Sequence, residues 1–217
     1  MKLTTIKKNE LWFAQSVLFI AILLQISVHS ISRELAIGPH YLIIITEVAL
    51  AILLGFTYSA QNEKRRRLHK NFSILFLGLI SLANISSFFL VGRSLILGVS
   101  YITGYELLLS ALAIFLTNVI VFALWYWEID SPGLTGKKWS KNDKDFHFTQ
   151  QGLTKDFPEW QPSFADYLYL SSTNAVNFAA ADAKPLTPQA KGLMGLQALV
   201  SAFTLALIVA RSVNILG

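Results

Sequence analysis

A carboxylate inside an apolar run is paired, in contact with water, or titrating, because a charge at bilayer depth costs about 3 kcal/mol or more. Glu47 sits in such a run, YLIIITEVALAILLGF. Arg211 lies a turn from the end of the last apolar run, His29 near the end of the first, and Arg93 and Glu106 bracket a short connection. Two chemistries fit Glu47 and Arg211: a structural ion pair, with Arg93 as the other partner available to Glu47, or a proton or substrate relay. Gln197, Ser201 and Thr204 are spaced by four and three. On a helix that spacing shares one face, and the stripe suits either a pore lining or a helix–helix contact.

Other chemistries find no residues to carry them. The chain has no cysteine, so disulfides, thiol catalysis and Cys-based zinc sites are absent. Its four histidines, His29, His40, His69 and His147, have no metal-ligand spacing. No phosphate-binding glycine loop or nucleophile elbow is present. Asp143, Asp145, Asp156 and Glu159 lie among lysines in a polar stretch and read as solvated surface. No catalytic residue, metal or cofactor is expected, and the chain is not read as an enzyme.

The elements that must position these groups are membrane helices. Of 217 residues, 53% are apolar and 14% charged, and mean hydropathy is +0.51, which is the composition of a membrane protein. Apolar runs predict five spans, at about 11–31, 41–60, 72–91, 106–127 and 191–215. The basic start and first run also resemble a signal peptide with Val28-His29-Ser30 as a cleavage-like triplet, but the run is longer than a signal core. Between spans four and five, 128–163 is a polar loop too short to promise a folded domain. Phe164 to Val176 is apolar but too short to span, and a polar tail and Pro185 and Pro188 follow it. Such runs beside true spans are re-entrant or interfacial, and irregular backbone at that depth needs protein or water around it. The fold class expected is an all-α integral membrane protein with five spans and a re-entrant helix at 164–182. Residues 1–104 form peripheral helices and 105–217 a pore-like module.

Charge sets an orientation. Three Lys/Arg precede the first span, five lie between spans two and three, and seven between 128 and 191; the other side holds only Arg33, Arg93 and Arg211. Fifteen against three is a strong positive-inside bias. It places the N-terminus and the re-entrant segment in the cytoplasm and the C-terminus outside, with Trp12, Trp125 and Trp127 at the inner interface and Tyr41 and Tyr105 at the outer. The net charge of +5 is concentrated in loops, so it is no nucleic-acid signal.

The stretch DYLYLSSTNAVNFAAADAKPLT (166–187) resembles the pore helix, filter and following turn of the two-span pore-loop module in potassium-channel-like proteins. Asp166, Leu168, Tyr169, Ser171, Asp182, Pro185 and Thr187 fall on its landmarks. With Asp156-Phe157-Pro158 and Ser201 to Asn214, the chain also resembles, over most of its length, an uncharacterised family of small bacterial multi-pass membrane proteins. The channel resemblance covers about 105–215. It departs at the filter, where Asn177-Phe178-Ala179-Ala180-Ala181 replaces Thr-Val-Gly-Tyr-Gly. Glycines permit backbone angles that alanine reaches at a steric cost, so a potassium-type filter of aligned carbonyls is not expected. Pore loops of potassium channels enter from outside, and ionotropic glutamate receptors have the inverted arrangement that the charges require here.

The resemblance implies a channel-like protein passing small ions, cations above anions, through the central pore of a homotetramer in the bacterial inner membrane. The ion pathway it implies uses Thr173, Asn174 and Asn177 as side-chain ligands, Phe178 or Ala179 as the constriction, and Asp182 to concentrate cations at the cytoplasmic mouth. The expected partners are small inorganic ions, the lipid bilayer and further copies of the chain, with no nucleic acid. Two alternatives stand beside it: a proton-coupled carrier titrating through Glu47, and a non-conducting scaffold that keeps the pore fold.

Overall fold

A computed structural model describes residues 8–31, 63–97, 103–131, 141–153, 160–179 and 181–216, with isolated positions between 45 and 52 and between 155 and 158. The described chain is mostly helical: α1 (Lys8–Ile31), α2 (Glu63–Leu97), α3 (Gly104–Asp130), α4 (Phe164–Asn177) and α5 (Pro188–Leu216). Two short strands, β1 (Phe146–Phe148) and β2 (Ala183–Pro185), form an antiparallel sheet, and a 3-10 turn (Thr149–Gly152) follows β1.

Among the described residues, three helical stretches are long and apolar enough to cross a membrane: Asn71–Ser94 in α2, Gly104–Asp130 in α3 and Pro188–Ala210 in α5. The apolar part of α1, Trp12–Val28, is shorter. The expected second span falls almost wholly outside the described residues, and so does Tyr41.

Local chemistry sets the helix starts. Thr103 and Glu106 form a reciprocal capping box at α3: Glu106 Oε2 accepts from Thr103 N–H (2.7 Å) while Thr103 Oγ1 accepts from Glu106 N–H (3.3 Å). At α4, Asp166 Oδ2 accepts from both the N–H and the hydroxyl of Ser163 (2.7 Å each). At α5, Thr187 Oγ1 accepts from Ala190 N–H (3.2 Å), with Pro188 in the first helical position where its missing N–H costs nothing. The basic run Lys64 to Lys70 is helical, forming the first turns of α2 rather than a loop.

α3 is the axis of the fold. Within its spanning window 78% of residues are buried, against 28% in α2 and 22% in α5, so the other helices pack around it. All four run opposite to it. Phe13 of α1 meets Phe164 (5.7 Å between ring centres), which meets Trp127 near the end of α3 (5.1 Å), while Val28 clusters with Leu107 and Ala111 near its start. Gln25 donates to Ile80 O, Trp125 donates to Ser81 Oγ, and Val91 joins the Leu107 cluster, which aligns α2. The described starts of α1 and α2, the end of α3 and the sheet therefore share one end, named here the Asp130 end. Among the described residues, the basic first turns of α2, Lys64 to Lys70, lie at that end.

One reading of the aromatic residues needs correction. Trp12 and Tyr105 are exposed at opposite ends, as belt residues are, but Trp127 is 1% exposed inside the core. The polar stretch 128–163 carries the last turn of α3, β1 and the 3-10 turn. Phe146 and Phe148 point into the core against Tyr126 and Tyr167.

Candidate functional site

The site is the dip of α4 and its return. α4 starts beside the end of α3 and descends along it: Tyr167 meets Asp130, Ser171 Oγ donates to Val119 O (2.6 Å), and Ala175 clusters with Phe115 and Val119. The helix stops at Phe178, which takes φ 56°, a left-handed conformation that disfavours side chains by about 1–2 kcal/mol. The chain then comes back to the end it left, because Ala183 pairs with Phe148 and Leu186 N–H donates to Asp145 O (2.8 Å). α4 has 14 residues, so at 1.5 Å per residue it reaches about 20 Å along α3, short of a full crossing.

One carboxylate ties α4 to β1, the strand on which the return pairs. Asp130 Oδ1 accepts the backbone N–H groups of Asp145 (2.6 Å) and Phe146 (3.1 Å), and Oδ2 accepts the Tyr167 hydroxyl (2.7 Å). Burial raises the Tyr167 phenol well above its ordinary range, and the Asp130 charge raises it further, so the group stays protonated and donates. Asp145 is fully buried and accepts from Thr187 Oγ1 (2.6 Å). It is therefore no part of a solvated surface, which corrects the sequence reading; Asp143 and Asp156 are exposed. Asp130, which no sequence motif singled out, is the junction.

A second, uncharged network lies deeper, between α3, α4 and α5. Gln197 Nε2 donates to Ser171 O (3.0 Å) and Oγ (2.7 Å), and its Oε1 accepts from Asn174 Nδ2 (2.8 Å) and the Tyr126 hydroxyl. Asn174 Nδ2 also donates to Met194 O (3.0 Å). Both amide hydrogens and both carbonyl lone pairs of Gln197 are thus used. One turn along, Asn118 donates to Ser201 Oγ (3.1 Å), and Thr204 Oγ1 returns to Val200 O. Gln197, Ser201 and Thr204 share one face as their spacing requires, and all three are buried. Of the two uses open to that stripe, this chain adopts the helix–helix contact.

The residues expected along an ion pathway separate into two groups. Asn174 is 2% exposed within the network, and Thr173 Oγ1 bonds back to Tyr169 O and Leu170 O of its own helix. Asn177, Phe178 and Ala179 are exposed at the tip of the dip, and Asp182 is half-buried on the return. Asp182 O accepts both the N–H and the hydroxyl of Thr149 (3.0 Å each). Glu47 and the side chains of Arg211 and His29 lie outside the described residues, so the expected Glu47 pairing does too. Glu106 caps α3. Gly192 and Gly195 are exposed, and a Cβ at either would meet nothing within 4 Å. Among the described residues no group of three or more His, Cys, Asp or Glu could hold a metal.

Comparison of the chain with protein-family models, with curated proteins and with solved structures gives no match.

Proposed function

We propose that the chain is a subunit of a cation-passing channel, in which α4 is a re-entrant helix and the stretch from Asn177 to Asp182 lines the pathway. The observation that carries this reading is the dip: a helix too short to cross leaves the Asp130 end, turns at Phe178 and returns to the same end. Backbone outside regular structure at membrane depth must be covered by protein or water. A central pore surrounded by copies of the chain, four in the module it resembles, supplies both. α5 offers the face for such contact, with Gly192 and Gly195 open and Leu196, Leu199 and Phe203 exposed.

In this scheme Asn177 offers its side-chain carbonyl to the ion, Phe178 and Ala179 form the constriction, and Asp182 gathers cations at the mouth. The C-terminal end of α4 points at the tip, and its partial negative charge favours cations. Asn174 and Thr173, whose hydrogen bonds close within the chain, hold the tip in place. The charge distribution orients the Asp130 end to the cytoplasm, and in this scheme the five apolar runs each cross the inner membrane of a bacterium, leaving the C-terminus outside.

Single-channel recording in planar bilayers tests this reading. Unitary cation currents that Asn177→Ala alters and Glu47→Gln leaves unchanged support it. Currents absent under every cation and anion gradient overturn it in favour of a scaffold. Transport abolished by Glu47→Gln and indifferent to position 177 overturns it in favour of a carrier.

A further inference from the structure

The outward face of the sheet carries two groups that conduction does not use, His147 and Lys184, beside Asp182. In the antiparallel register His147 stands opposite Lys184, and Phe148 opposite Ala183. Because side chains alternate across a strand, the phenylalanines enter the core while His147 and Lys184 face outward together, on the same side as the next rung, Thr149 and Asp182. Directly paired side chains of this kind stand about 5 Å apart at Cβ. His147, Thr149, Asp182 and Lys184, with Ala181 and Ala183, line a cleft of about 290 Å³. It is therefore bounded by two nitrogen donors on one rung and a carboxylate on the next.

The place of this cleft narrows its ligand. The sheet sits just past the end of the apolar helix α3, level with the tryptophan-bearing start of α1, which is where a bilayer's headgroups lie. A simple anion would meet the Asp182 carboxylate, and a simple cation would meet Lys184. A ligand with both charges a few ångströms apart satisfies the three side chains at once. We propose that this cleft binds a phosphate–ammonium zwitterion, the chemistry of a phosphoethanolamine headgroup, with His147 and Lys184 on the phosphate and Asp182 on the ammonium. A primary ammonium gives Asp182 three N–H donors, whereas the trimethylated group of phosphocholine gives none. Selection of the first over the second is thus built into the carboxylate. The inference does not depend on the chain conducting ions, since its readout is binding.

The test uses the full chain in nanodiscs containing equal parts of phosphatidylethanolamine, phosphatidylcholine and phosphatidylglycerol, with retained lipids identified by native mass spectrometry. Phosphatidylethanolamine should be enriched over both others. Lys184→Gln and Asp182→Asn should each lower that enrichment about tenfold, the factor for one lost charge-assisted hydrogen bond, while the variants elute in size exclusion as the parent does. Soluble phosphoethanolamine, titrated against the detergent-solubilised protein by phosphorus NMR, separates the sources. Binding there with the same sensitivity to both variants, but without lipid enrichment, assigns the cleft to a free ligand of the same chemistry. Equal retention of the three lipids with no binding of soluble phosphoethanolamine overturns the proposal. So does phosphatidylglycerol retained as well as phosphatidylethanolamine, or an Asp182→Asn variant that binds as the parent does.

Discussion

The Tyr167 hydroxyl donates to Asp130 Oδ2 at 2.7 Å, joining the first turns of α4 to the last residue of α3. The other oxygen of the same carboxylate accepts Asp145 and Phe146 N–H at the start of the sheet. The descent, and the strand on which the return pairs, are therefore anchored to one side chain.

Removing that side chain should loosen both arms. Asp130→Ala deletes three bonds to a charged acceptor and is expected to cost about 2 kcal/mol or more. Tyr167→Phe, which leaves the two amide bonds in place, should cost about 1 kcal/mol. Thermal unfolding in detergent reads both, and a double-mutant cycle should return a positive coupling between them.

Alkaline pH should act through Tyr167. Its folded pKa is raised by burial and by Asp130, while the unfolded value stays at about 10. Below pH 10 the phenol is neutral in both states and its contribution to stability is complete. Above it the unfolded chain loses the proton first, so stability falls as pH climbs toward the folded pKa. Tyr167→Phe should flatten that fall in unfolding measured from pH 8 to pH 11.

The two asparagines of α4 should behave differently. Asn174→Ala breaks the buried network and is expected to cost about 1–2 kcal/mol, as is Gln197→Leu. Asn177→Ala, at an exposed position, should leave the melting temperature within the range of surface changes, about 0.5 kcal/mol. Equal effects at 174 and 177 in a thermal-shift series would argue against the division.

Labelling should map the dip. Cysteines placed singly at Asn177 and Ala179 in this cysteine-free chain are expected to react with a membrane-impermeant maleimide added at the Asp130 end. A cysteine at Asn174 should be at least tenfold slower. Reaction of Asn177→Cys from the opposite end would contradict a return to the starting face.

Phe178→Gly should raise stability by up to about 1 kcal/mol, since glycine holds φ 56° without the side-chain penalty. The ring is half-exposed, so little packing is lost within the chain. If the ring forms the constriction, the same change raises unitary conductance.

Much of this architecture lies in local sequence. Run length and apolarity determine the spanning stretches of α2, α3 and α5, because a helix must be about 20 residues long to cross and needs no distant partner for its backbone. Ser163 with Asp166, and Thr187 with Ala190, mark helix starts through contacts three residues apart. Phe164 onward is too short to span, which is again a matter of length.

Tertiary structure decided what each polar residue does. Asp145 and Asp143 have the same local surroundings, yet only Asp145 is buried, because β2 and Thr187 arrive some forty residues later in the chain to close over it. Asn174 and Asn177 sit three residues apart on one helix, and the approach of Gln197 and Met194 from α5 draws the first inside and leaves the second at the tip. A spacing says which side chains share a face. Which neighbour that face meets is a long-range fact, and hydrogen-bond partners follow the neighbour.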